Sequence, residues 1–151
     1  MEQVAEYQGK ITTDLFSKLL IEVGVEYGNA MIIVENNSLG HEVCNKLIEA
    51  KYPNIYFETK GSHEYVPQYQ AEIQNNCVAG FSTSASTRPL VCAKLEEYIR
   101  NDLIKIKSKR LALELKTFIF KNGRPEAMRG YNDDLTMSMA IMCWVSDTIL
   151  N

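Results

Sequence analysis

At 151 residues, 46% hydrophobic and 23% charged, the chain carries enough apolar side chains for one packed domain spanning 1–151. A net charge of −3 excludes a protein that coats nucleic acid by bulk electrostatics. No apolar run approaches the roughly 20 residues of a membrane span, and the N-terminus has no basic or apolar signal region, so a cytoplasmic chain is expected. The cysteines, Cys44, Cys77, Cys92 and Cys143, form no C-x-x-C pair, which excludes a recognisable zinc site and favours reduced thiols.

In chain order, residues 3–11 alternate as a strand would. Thr12, Thr13 and Asp14 then suit a helix start, with Leu15, Phe16, Leu19, Leu20 and Val23 on one stripe ending near Tyr27-Gly28. The continuous apolar run 31–34, closed by Glu35, suits a buried parallel strand. Asn36-Asn37-Ser38-Leu39-Gly40 is turn chemistry, followed by a helix burying Val43, Cys44, Leu47 and Ile48 that stops before Pro53. Residues 55–58 read as another strand. This order predicts parallel crossovers and an α/β layer fold.

Residues 59–87, polar and without a helical stripe, predict a long ordered loop with a small β excursion. Thr87-Arg88-Pro89 opens a helix with Val91, Leu95, Tyr98 and Ile99 on its face. Residues 104–106 suggest a brief strand, and Ser108 a cap for a helix carrying Leu111, Leu115 and Phe118. Asn122-Gly123 between apolar flanks predicts a hairpin. The last helix, starting at Asp133 or Asp134, is apolar nearly all round and should be buried.

Three acids carry the chemistry. Glu35 ends a buried strand, and Asp133 and Asp134 sit where a loop becomes an apolar helix. Desolvated like charges repel, and a hard cation such as Mg²⁺ or Mn²⁺ removes that cost. Two such ions about 4 Å apart activate water and stabilise the leaving oxygen of a phosphodiester. The bland alternative is that Asp133 and Asp134 cap the helix. A basic cluster, Lys105, Lys107, Lys109, Arg110 and Lys116, with Lys121, Arg124 and Arg129 beyond it, suits a solvated face as well as a DNA groove. No Walker, G-x-S-x-G or G-x-G-x-x-G pattern occurs.

On these residues the chain resembles the nuclease domain of the large terminase subunit of tailed bacteriophages. The matching pieces are Ile32-Ile33-Val34-Glu35-Asn36-Asn37, Leu39-Gly40, the 84–89 loop entering Leu95-Glu96-Glu97-Tyr98-Ile99, and Gly130-Tyr131-Asn132-Asp133-Asp134-Leu135. The resemblance spans about residues 3–146. It implies an RNase H-like mixed sheet flanked by helices and a Mg²⁺- or Mn²⁺-dependent endonuclease that cuts concatemeric double-stranded viral DNA. Glu35 matches the family's strand-end glutamate, and Asp134, with Asp133 beside it, the helix-start ligand. Arg88, Lys121, Arg124 and Arg129 become expected DNA contacts.

The resemblance also implies, for the full-length protein, an ATPase motor domain, a portal and a small terminase subunit as partners, in a host-cell cytoplasm. Many relatives carry His where this chain has Asn132, which hydrogen-bonds without titrating. The family's first strand, with a further metal-binding Asp, and its second strand have no counterpart here. An N-terminally truncated sheet is therefore expected, with weak or no cleavage by this chain alone and an open edge inviting self-association. Another RNase H-like nuclease, such as a junction resolvase, and a non-catalytic DNA-docking module remain alternatives on the residues alone.

Overall fold

The structure, a computed structural model, describes residues 1–150, with side chains through 149. The chain is a mixed α/β protein that divides into two units, Gly9–Thr83 and Met1–Gln8 with Ser84–Asn151.

In the Gly9–Thr83 unit, Thr12 caps α1 (Thr13–Glu26) by accepting the Leu15 N–H at 3.4 Å. Asn37 caps α2 (Ser38–Glu49) by accepting the Gly40 N–H at 2.9 Å. Around α2 the backbone makes the expected parallel crossover, but as single bridges rather than ladders: Ile32 pairs with Ile55, and Glu35 with Phe81. The excursion after residue 55 is larger than a loop. β1 (Phe57–Thr59) lies between β2 (Tyr65–Val66) and β3 (Cys77–Ala79), antiparallel to both, with the short α3 (Gln68–Ala71) between those two in sequence.

The core of this unit gathers Ile32, Val43, Cys44, Leu47, Ile55 and Phe57, with Phe16, Leu20 and Ile21 of α1 against them. A fully buried side chain such as Leu47 contributes about 1.5–3 kcal/mol. The stripe expected on α1 is rotated: Leu15 and Val23 are exposed, and Ser17 and Gly24 are the buried positions. Small residues there let α1 approach closely. Ile48 of α2 is likewise exposed.

In the other unit, Ser84 and Thr87 exchange hydrogen bonds, Ser84 N–H to Thr87 Oγ1 at 2.8 Å and Thr87 N–H to Ser84 Oγ at 3.1 Å, and so start α4 (Thr87–Arg100). Ser108 caps α5 (Lys109–Lys116) at the Leu111 N–H, 3.0 Å. β4 (Phe118–Lys121) and β5 (Arg124–Ala127) form the predicted hairpin, with Asn122 at φ 51° and Gly123 at φ 76°. α6 (Asp134–Leu150) packs along α4, burying Met137, Ala140, Ile141, Cys143 and Val145. Ile99, expected on the buried face of α4, is exposed.

Residues 3–11 form no strand. Only Glu2 bridges Lys105, with the Gln3 N–H donating to the Lys105 carbonyl at 3.0 Å. Val4, Tyr7 and Ile11 are exposed, so the alternation has no apolar layer to lie on. The strand expected at 104–106 shrinks to the same bridge. Among the described residues no helix is long and apolar enough to cross a membrane.

Candidate functional site

Glu35 belongs to the Gly9–Thr83 unit, and Asp133 and Asp134 to the other. The strand alternation decides which way Glu35 faces. Ile32 and Val34 point into the core, so Glu35 lies on the opposite face. Ile55 and Phe57 point the same way as Ile32, which puts Tyr56 and Glu58 on the Glu35 face. The Tyr56 and Phe81 rings meet there at 6.3 Å, and Phe81 is the cross-strand partner of Glu35.

The backbone around Glu35 is held tightly. The Phe81 N–H donates to the Val34 carbonyl at 2.7 Å and the Asn36 N–H to the Phe81 carbonyl at 2.7 Å. The first turn of α2 closes onto the same point, and a Cβ on Gly40 would stand 1.8 Å from the Glu35 carbonyl oxygen. Gly80, at φ 86°, passes Val34 so closely that a Cβ would meet its carbonyl at 2.6 Å. Glycine at 40 therefore seats the helix on the acid-bearing strand end, which gives the Glu35-to-Gly40 spacing a physical reason. Glu35 itself is half-buried.

At the other unit's acids, the capping expectation fails in an informative way. Asp133 is the N-cap residue by backbone, its carbonyl accepting the Met137 N–H at 2.8 Å. Its carboxylate turns elsewhere: Oδ2 accepts from the Arg88 Nη2 and from the Ala127 N–H at 3.2 Å. Arg88 is anchored in turn by Nε donating to the Pro125 carbonyl at 2.9 Å. The capping acceptor is Glu114 of α5, whose Oε2 takes the Thr136 N–H at 2.9 Å and the Thr136 hydroxyl at 3.2 Å. Asp134 stays exposed in the first turn of α6.

The structure thus brings Arg88 to Asp133 as a pin rather than leaving it extended. Lys121 reaches Glu126 at 3.7 Å across the hairpin, and Arg124 and Arg129 are exposed. Of the basic cluster, Lys107 pairs with Glu2, and Arg110 with Glu6 at 2.7 Å. The buried cysteines are poor nucleophiles: burial pushes the Cys44 and Cys92 thiols up to about 11 and Cys143 up to about 12, so they stay protonated.

No protein-family model matches the chain.

Among the described residues no group of three or more His, Cys, Asp or Glu side chains is drawn together as a metal cage. The donors present are hard oxygens, half-exposed on Glu35 and exposed on Asp134, and that chemistry fits Mg²⁺ or Mn²⁺ better than a soft ion. Sequence reasoning missed two acids. Glu114 gave no local signal, because its partner lies 22 residues away. Glu58, 0% exposed, was hidden inside a predicted strand, where nothing distinguishes a buried acid from a solvated one.

Proposed function

We propose that the chain is a divalent-metal DNA endonuclease module of the RNase H-like kind, of the type found in the large terminase subunit of tailed bacteriophages. Its substrate is double-stranded DNA, and its partners are the motor, portal and small subunit of a packaging machine. By that resemblance Glu35 and Asp134, with Asp133 next to Asp134 in the chain, would be the metal ligands. Bound there, Mg²⁺ or Mn²⁺ supplies an activated water and neutralises charge developing on the phosphodiester.

The observation that carries this reading is the division of labour at the start of α6. Glu114 takes the capping bonds and Arg88 takes Asp133, so Asp134 is an acid at a helix N-terminus with no structural task among the bonds described. Arg88 and the Ala127 amide occupy one oxygen of Asp133 and so hold the residue that leads into Asp134 and α6. Arg124 and Arg129, exposed on and beside the hairpin, suit a phosphate backbone.

The test is Mn²⁺-dependent nicking of supercoiled plasmid by the purified chain, read over long incubations. Glu35→Gln and Asp134→Asn should each lower the rate at least a hundredfold, while Glu96→Gln on the exposed face of α4 leaves it unchanged. Nicking that survives both acid-to-amide variants, or no nicking and no Mn²⁺ binding that depends on either acid, would overturn the proposal.

A further inference from the structure

Glu58 is the most deeply buried acid described, at 0% exposure, in the middle strand of the β2-β1-β3 sheet. Its Oε1 accepts the Ser82 N–H at 3.1 Å and stands 2.9 Å from Nδ1 of His63. Its Oε2 is buried with no hydrogen-bond partner. A carboxylate oxygen removed from water without a donor carries a large desolvation penalty, so its persistence calls for a positive partner. The Ser82 N–H and His63 Nδ1 both face Oε1 and leave Oε2 without a partner.

We propose that Glu58 and His63 form a cation site taking a divalent ion of the Mn²⁺ type. Octahedral ligands at about 2.1 Å lie about 3.0 Å apart when adjacent, so the 2.9 Å spacing of Nδ1 and Oε1 suits neighbouring positions on one ion. Oε2 of the same carboxylate, which has no other partner, is the remaining oxygen that Glu58 would offer such an ion. One imidazole and one carboxylate suit a borderline nitrogen–oxygen ion rather than a thiolate-seeking one.

The surroundings hold this pair in place. The His63 N–H donates to the Thr59 carbonyl at 3.1 Å, the Thr59 and Ser62 hydroxyls join across the turn, and the Ser82 amide fixes the carboxylate. The His63 side chain is 33% exposed, which leaves its ring open to solvent. An ion here ties the β1–β2 turn to the segment after Phe81. The proposed site uses none of Glu35, Asp133 and Asp134, so it stands or falls separately from the endonuclease reading.

The experiment is titration of the metal-free full chain with MnCl₂, counting bound ion by loss of the free Mn²⁺ electron-paramagnetic signal and following the His63 ring protons by NMR. The wild-type chain and Glu35→Gln/Asp134→Asn should both broaden the His63 resonances before one equivalent is added. His63→Asn, a change at a partly exposed ring, should weaken that binding at least tenfold, and Glu58→Gln should do the same. If Glu58→Gln fails to fold by circular dichroism, the affinity of His63→Asn decides the matter. His63 resonances that stay sharp, equal affinity in His63→Asn, or broadening lost in Glu35→Gln/Asp134→Asn would each overturn the site. Loss of plasmid nicking with His63 still broadened would instead count against the endonuclease reading alone.

Discussion

Around Glu35 the polar motif is fixed by backbone lying against backbone, whereas around Asp133 it is fixed by long side chains reaching across to backbone. In the Gly9–Thr83 unit the contacts are Phe81 with Val34 and Asn36, and the α2 start with the Glu35 carbonyl, each needing a glycine or a short side chain. In the other unit Arg88 reaches Pro125 and Asp133, Gln3 accepts the Lys107 and Ser108 amides at 3.1 and 3.0 Å, and Glu114 reaches Thr136. Backbone approach tolerates no added atom, so the first arrangement should be brittle. Side-chain pins span a gap that can be refilled by water or a neighbour, so the second should weaken by degrees.

The sharpest way to break this comparison is Gly40→Ala. Its new Cβ would lie 1.8 Å from the Glu35 carbonyl oxygen, an atom of the main chain that cannot rotate aside. The start of α2 must lift, with a cost of about 3 kcal/mol or more. Urea unfolding should show that loss, together with weakened amide protection at Asn36 and Gly40. A loss below about 1 kcal/mol would mean that the approach is soft and the contrast unfounded.

Arg88→Ala tests the other side. Asp133 would keep the Ala127 N–H and lose its cation, and Pro125 would lose its donor. Both partners are about one-quarter exposed, so water repairs part of the damage, and about 2 kcal/mol is expected. Arg88→Ala/Asp133→Ala should cost less than the sum of the single changes, since the double variant leaves no half-buried charge behind. Additive losses by urea unfolding would show that the pair is not a pin.

The same contrast explains what the sequence could reveal. Asn37-Ser38-Leu39-Gly40, Thr12 and Ser108 act within four residues of themselves, so their cap and turn roles were legible, as was the Asn122-Gly123 hairpin. The crossover through α2 was legible because a short apolar run on each side has few other uses. Arg88 with Asp133 is 45 residues apart, and nothing local marks either as a pair. Residues 3–11 show the converse failure, since their alternation was real but tertiary structure gave it nothing to cover. Of the residues at the start of α6, Asp133 and Asp134 were named from the sequence, whereas Glu114 and the split between a pinned and a capping acid were not legible there.

That division is what Glu114→Ala probes, with the smallest expected effect. The Thr136 amide and hydroxyl would lose their acceptor at the third helical position of α6, where cap losses run to about 1 kcal/mol. Glu114→Gln keeps an acceptor oxygen and should recover most of the loss in urea unfolding. A silent Glu114→Ala would mean that Asp133 or Asp134 can serve the amide instead. Asp133 is already held by Arg88 and Ala127, so the substitute would be Asp134. An aspartate that readily turns inward to cap its own helix is a poorer candidate for holding a cation. The helix start would then be structural after all, and a stability measurement, with no DNA or metal present, would have weakened the nuclease proposal at its main support.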